Sequence, residues 1–346
     1  MSRHSPIHQP PFTMSSLQRL SLLLLTISPL HTSILVRAFA TTNNNTPKHP
    51  ADTAVVVVEP LYEGITRIRG RVAYDGNGFK GFQLQPKRRT IQGDLEAVLS
   101  QRFQRLVRVV GASRTDAGVH ARAQAVHFDL RTEDSINLEE EEDLQKLQFS
   151  MNSMLKQDVR VYNLEKAPES VREIKGKPML VPWNAIHEST GKLYIYRLCA
   201  AKHMDPLERH TRHSLKWKDP IDVDVLTRTL KHMEGYHDFR AFAGGIEQLE
   251  KHLKGKTMNT KRTVYSIEVV DEGEDMYRIE VRLKGALYKM VRNMVGSALE
   301  VAWGKLSEEE FLALLHRTEA AGRKQNRSKP APPEGLTLES VYYDDY

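Results

Sequence analysis

From Arg67 to Tyr74 the chain alternates strictly, with Ile68, Gly70, Val72 and Tyr74 at every second position and Arg67, Arg69 and Arg71 between them. A period of two sends successive side chains to opposite faces, so this segment predicts a strand with one buried face and one strongly basic face. That basic face is expected to be solvated or aimed at phosphate. The same period returns at 193–199, where Leu193, Ile195, Arg197 and Cys199 alternate with Tyr194, Tyr196 and Leu198. It returns again where Tyr277, Ile279, Val281 and Leu283 alternate with Arg278, Glu280, Arg282 and Lys284. Further strands are predicted at 107–110 and 124–130. Helical spacing occupies single segments instead: 91–106 with Thr90 as N-cap, 226–233, and about 287–303. Strand hairpins mixed with single helices, rather than strict strand-helix alternation, predict an α+β fold whose sheets are covered by helices on one face.

Three regions follow from this pattern: 1–60, 61–177 and 178–346, the last two separated by Lys175-Gly176-Lys177-Pro178, a polar break suited to a linker. Two such halves could lay their open sheet faces around a common groove. Of the 44 acids, seven fall at Glu133, Asp134 and Glu139 to Asp143, which leaves 37 against 50 Lys and Arg elsewhere. The acidic stretch reads as a solvated connection or helix start ahead of Leu144, Leu147 and Met151. A body so basic suits a polyanionic partner, nucleic acid first. A single cysteine, Cys199, excludes an internal disulfide and a Cys-x-x-Cys metal or redox pair.

The first 60 residues differ in kind. Arg19 precedes the apolar run from Leu20 to Ile27, too short for a transmembrane helix, which takes about 20 residues, and similar to the core of a signal sequence. Val36-Arg37-Ala38-Phe39-Ala40 resembles the Ala-Phe junction of plastid presequences that begin with a signal peptide. The leader is therefore expected to direct import into a plastid, with the mitochondrion as the second candidate.

Several chemistries are struck off. Ser189-Thr190-Gly191-Lys192 lacks the earlier glycine and the strand of a phosphate loop. His203, His210 and His213 lack metalloprotease spacing, and no Gly-x-Ser-x-Gly elbow is present. The expectation is an enzyme-sized chain without cofactor or metal. The densest segment, Gly111-Ala112-Ser113-Arg114-Thr115-Asp116-Ala117-Gly118-Val119-His120, lies between two predicted strands at a turn rich in small residues. An isolated Asp-Ala-Gly would be read as a turn in which the carboxylate caps backbone amides.

The whole segment resembles the signature of the TruA family of tRNA pseudouridine synthases, in which Arg-Thr-Asp-Ala-Gly-Val-His surrounds the catalytic aspartate. The similarity continues in family order through Tyr74-Asp75-Gly76, Phe79, Gly81-Phe82-Gln83, Thr90-Ile91-Gln92, Gly191-Lys192-Leu193-Tyr194-Ile195-Tyr196 and Gly235-Tyr236-His237-Asp238-Phe239. Lys261-Arg262-Thr263, Met290-Val291-Arg292-Asn293 and Ala331-Pro332-Pro333-Glu334-Gly335-Leu336 complete it, so that roughly 65–346 is covered. The resemblance implies the pseudouridine synthase fold, two α/β subdomains with largely antiparallel sheets flanked by helices around a central basic groove. It implies isomerisation of uridine in tRNA, a homodimer, and no membrane attachment once the leader is removed. The bacterial branch of the family points to the anticodon stem-loop, while eukaryotic relatives modify other sites.

By position the catalytic aspartate is Asp116, as nucleophile or as base towards the ribose. It must be ionised in a partly dry pocket, where desolvation raises a carboxyl pKa and a nearby cation opposes the rise. Arg292 is the expected cation. Leu287, Met290, Val291, Met294, Val295, Ala298, Leu299 and Val301 cover about half a helical wheel of ~100° steps, and Arg292 falls at the border of that arc. Tyr194 takes the family's substrate-tyrosine position, where a ring can stack on uracil and a hydroxyl relay a proton. Arg114 is expected to fill the gap left by a flipped nucleotide. Three departures stand out: Ile186 replaces a usual arginine, Phe82 a commoner tryptophan, and Ser113 a common glycine. A non-catalytic RNA-binding protein on the same scaffold is the alternative. A glycoside hydrolase would need a second acid flanking the bond, and none lies beside Asp116 in the signature.

Overall fold

The computed structural model describes residues 64–134, 140–174, 176–215, 220–253, 256–316 and 323–344. Residues 1–60, on which the expectation of an import signal falls, lie outside the described residues. In chain order the elements are β1 (Ile65–Tyr74), α1 (Ile91–Phe103), β2 (Val109–Gly111), β3 (His120–Arg131), α2 (Glu141–Met154), β4 (Val159–Lys166), β5 (Glu169–Ile174), β6 (Lys177–Pro182) and β7 (Gly191–Cys199). They continue with β8 (His213–Ser214), α3 (Val223–Lys231), β9 (Gly235–Asp238), α4 (Ile246–His252), β10 (Lys261–Gly273), β11 (Met276–Leu283), α5 (Met290–Ala302), α6 (Glu308–His316) and β12 (Leu336–Tyr342). None of the described helices is long and apolar enough to cross a membrane.

The predicted α+β architecture is present as one ten-stranded sheet, ordered β4-β1-β3-β12-β7-β11-β10-β9, with β2 on β3 and β8 on β7. All pairings are antiparallel except β12 with β3 and β8 with β7. The last strand is the keystone, because β12 inserts between β3 and β7 and so joins strands from the two halves. Its pairing with β3 is brief, Thr337 with His120 and Leu338 with Ala121. Those two partners are the residues at which β3 leaves the densest loop, so the closing strand bears directly on that loop. One connected core includes Ile68, Leu99 and Phe128 as well as Tyr196, Val281 and Met294.

Local rules account for most boundaries. Thr90 caps α1 by accepting from the Gly93 N–H at 3.2 Å, as its position predicts. The helix stops at Phe103, before the predicted 106, because Gln104 turns left-handed at φ 52°. Lys289 is left-handed in the same way, and α5 therefore begins at Met290 rather than near 287. Leu144, Leu147 and Met151 of α2 are buried, as their spacing requires.

Two expectations are corrected. The arginine face of β1 is neither solvated nor aimed at phosphate. Arg67 is bidentate on Asp129 of β3 at 2.7 and 2.8 Å, and Arg69, buried, donates to Glu165 of β4 at 2.7 Å. The Arg71 Nη1 donates to the Val341 carbonyl of β12 at 2.8 Å. A guanidinium on a covered strand needs a partner, and adjacent strands supply one. Gly176 to Pro178, read as part of a linker, belong to a hairpin in which β5 and β6 pair from Glu169–Pro182 to Ile174–Lys177.

Candidate active site

The loop between β2 and β3 is held on a scaffold of backbone contacts. The Thr115 carbonyl accepts from the Phe82 N–H at 3.0 Å, and the Thr115 hydroxyl meets the Tyr74 hydroxyl at 2.7 Å. Gly81, at φ 98°, lies so close that a Cβ there would stand 2.8 Å from the Thr115 carbonyl oxygen and 3.3 Å from the Asp116 carbonyl carbon. Only glycine fits both that backbone conformation and that space. Phe82, where tryptophan is commoner, packs its ring over Gly111 and is buried.

Asp116 projects from this loop onto α5. Its Oδ2 accepts from Arg292 Nη1 at 2.9 Å, and both side chains are only 11% exposed. Oδ1 accepts no hydrogen bond from the described residues. Arg292 in turn is fixed by the closing segment: its Nε donates to the Ala331 carbonyl at 2.7 Å, and the Ala331 N–H returns to the Arg292 carbonyl at 2.9 Å. Gly296, one turn further along α5, makes this approach possible. A Cβ at Gly296 would fall 2.1 Å from the Lys329 carbonyl oxygen. Residues 329–331 can thus run against the helix and grip its arginine.

Burial pushes the Asp116 carboxyl above its ordinary range, and the Arg292 guanidinium and Lys289 oppose that rise without cancelling it. Tyr194, on β7, is buried beside them. Its phenol is pushed up to about 12, chiefly by burial and further by the charge of Asp116, so it stays protonated at neutral pH. Its hydroxyl lies 2.8 Å from the hydroxyl of Ser113. The departure from glycine at that position therefore places a polar partner on the tyrosine. Tyr196 is a core tyrosine, as predicted, bonded to His213 and the Pro332 carbonyl.

The structure thus brings Asp116, Arg292 and Tyr194 together from three separate parts of the chain. Arg114 is exposed on the same loop and forms no ion pair with the described residues. Ile186 is 47% exposed and contributes no charge. Several supporting residues went unread in the sequence. Gln124 clasps the Ser113 backbone on both sides, accepting at 3.1 Å and donating at 2.6 Å. Ala331 braces Arg292, and the charge of Lys289 acts on Asp116. A buried glutamine on an otherwise apolar strand face was the available signal for the first; a main-chain carbonyl such as that of Ala331 leaves none.

Asp116 is thus not a solvated turn aspartate but one largely withdrawn from water and joined to an arginine of α5. The family model for tRNA pseudouridine synthase matches residues 229–344. The tRNA pseudouridine synthase A of Latilactobacillus sakei is 36% identical over 80% of this chain and 98% of its own length. Those of Protochlamydia amoebophila and Bacillus pumilus are 33% and 32% identical, over 79% and 81% of this chain and 95% and 100% of theirs. The chain belongs to the tRNA pseudouridine synthase A, or TruA, family.

Proposed function

We infer that the protein isomerises uridine to pseudouridine in tRNA at the Asp116 site. The observation that carries this reading is the Asp116–Arg292 contact at 2.9 Å, made in a site that excludes most water. The reaction breaks the N1–C1′ glycosidic bond, turns the uracil and joins C5 to C1′; the C5 proton leaves and N1 regains one. Atoms balance within the substrate and solvent, and no redox partner is needed. A carboxylate acting on the ribose, as nucleophile on C1′ or as base, must be ionised. Arg292 holds that charge through Oδ2 and leaves Oδ1 for the sugar. Tyr194 offers a ring for stacking the uracil and a protonated hydroxyl beside it. Arg114 supplies an exposed cation at the rim to occupy the vacated stack.

Release of tritium from C5-labelled uridine in tRNA tests the assignment. The wild-type protein should release it and Asp116→Ala should not; equal release by both would end the reading. The reading extends to a basic groove that takes tRNA, to a uridine of the anticodon stem-loop and to a homodimer, the last checked by light scattering. It also extends to import, plastid before mitochondrion, directed by residues 1–60. Those residues fused to a fluorescent protein should carry it into the organelle.

A further inference from the structure

Three cations are buried among the described residues: Arg69, Arg212 and Lys192. Arg69 faces Glu165, and Arg212 faces Glu208 and Glu272. Lys192 faces no carboxylate of the described residues. Among the described residues its ammonium has one partner, a main-chain oxygen, the Ala112 carbonyl, at 2.7 Å. A buried ammonium satisfied by a single neutral acceptor is costly to a fold, and an apolar side chain of similar length would be cheaper there. Burial pushes the Lys192 ammonium down to about 8, the mark of that cost.

What the lysine holds is the root of the Asp116 loop. Gly111, opposite Val126, is the last paired residue of β2, and the Ala112 N–H still donates to the Ala125 carbonyl at 2.9 Å. Beyond Ala112 the loop leaves the ladder. Lys192 lies on β7 two residues before Tyr194, on the same face, with Leu283 and Val281 as their respective neighbours on β11. The strand that carries the substrate tyrosine thus clamps the loop that carries the aspartate, four residues before Asp116. Ser113 continues the clamp through its hydroxyl contact with Tyr194.

We propose that Lys192 is a positioning residue for the isomerisation: its ammonium, through the Ala112 carbonyl, sets the placement of the Asp116 loop against Tyr194 and thereby the rate of the chemical step. This rests on the active-site reading given above. A charge kept for position rather than for stability should separate rate from fold and from affinity.

The test uses the full chain and compares Lys192→Met with Lys192→Arg. Single-turnover tritium release, tRNA affinity and melting temperature are measured for both. Lys192→Met should slow release at least tenfold, bind tRNA within about twofold of wild type, and melt at the same temperature or higher. Lys192→Arg, which can still donate to the Ala112 carbonyl, should recover to within about threefold of the wild-type rate. A wild-type rate for Lys192→Met overturns the proposal, as does failure of the arginine to restore the rate. A weakening of tRNA binding in step with the rate would make Lys192 a phosphate ligand instead. A lowered melting temperature or loss of folding would make it a structural residue. Asp116→Ala in the same assay separates the two claims. Release by that variant sinks the active-site reading itself, while its silence beside a normal Lys192→Met sinks only the role of Lys192.

Discussion

Asp158 and Asp116 each meet an arginine within 3 Å, and their carboxyls are driven in opposite directions. Asp158 is bidentate on Arg89 at 2.6 and 2.8 Å, more than a quarter of each side chain is open to water, and Arg89 also bonds Asp94 and lies 4.0 Å above the Phe79 ring. The hydrogen bond from Arg89 holds the Asp158 carboxyl below its usual range. Asp116 has one bond to Arg292 in a site nearly closed to water, and burial carries its carboxyl upward despite the guanidinium. The first pair ties β4 to the start of α1. The second places a carboxyl where burial disfavours its charge, the pattern expected of a carboxylate at the proposed reaction centre rather than of one that holds a structure together.

The largest effect that would break this comparison is on turnover. Asp116→Asn should lower tritium release by about 10⁴-fold or more, since the nucleophile or base is lost, while Asp158→Asn should leave the rate within about twofold at a permissive temperature. A normal rate for Asp116→Asn would erase the distinction. Arg292→Met removes the opposing cation and should cost about 10²-fold in the chemical step, with tRNA binding largely kept. Loss of binding in proportion to rate would contradict the role given to the arginine.

A pH profile sharpens the contrast. The proposed role of Asp116 requires its ionised form, so activity should fall as pH drops through that raised carboxyl pKa. In Arg292→Met the carboxyl loses its main opposing charge, and the acid limb should move to higher pH. An unmoved limb would remove Asp116 as the titrating group.

The smallest effects are on stability, and they should carry opposite signs. A carboxyl whose folded pKa is raised stabilises the fold at low pH, and that contribution disappears as pH rises through the folded value. Once ionised, Asp116 is a net cost to the fold, so Asp116→Asn should melt at the same temperature or slightly higher. Asp158 has a lowered folded pKa. Its contribution is present above the unfolded value of about 3.9 and is lost as pH falls through the folded value. Asp158→Asn should therefore lose about 1 kcal/mol at neutral pH, a partly exposed pair being worth little more. The loss should vanish in acid. Thermal melts of both variants at two pH values decide the matter.

Much of this arrangement is legible in the sequence. The border position of Arg292 on the apolar arc of α5 demanded a partner, whereas the small residues around Asp116 suggested an exposed side chain and the structure leaves it only 11% exposed. The family order of motifs then connected the two. Less legible was what surrounds them. The arginines of β1 looked like a free basic face because their acids, Asp129 and Glu165, lie on other strands, and only register puts them opposite. The segment at 175–178 looked like a linker because a polar break reads the same way at a hairpin end. Ser113 was visible as a departure, yet its contact with Tyr194 spans 81 positions and leaves no trace in local spacing.

Sequence by itself determined the periods and the Thr90 cap, because these depend on neighbours within a few residues. Tertiary structure alone decided that β12 would enter the middle of the sheet, that Ala331 would grip Arg292, and that Lys192 would be buried against the Ala112 carbonyl. Those outcomes depend on which distant backbone groups approach closely enough to share a proton. A main-chain carbonyl has no side chain to announce it.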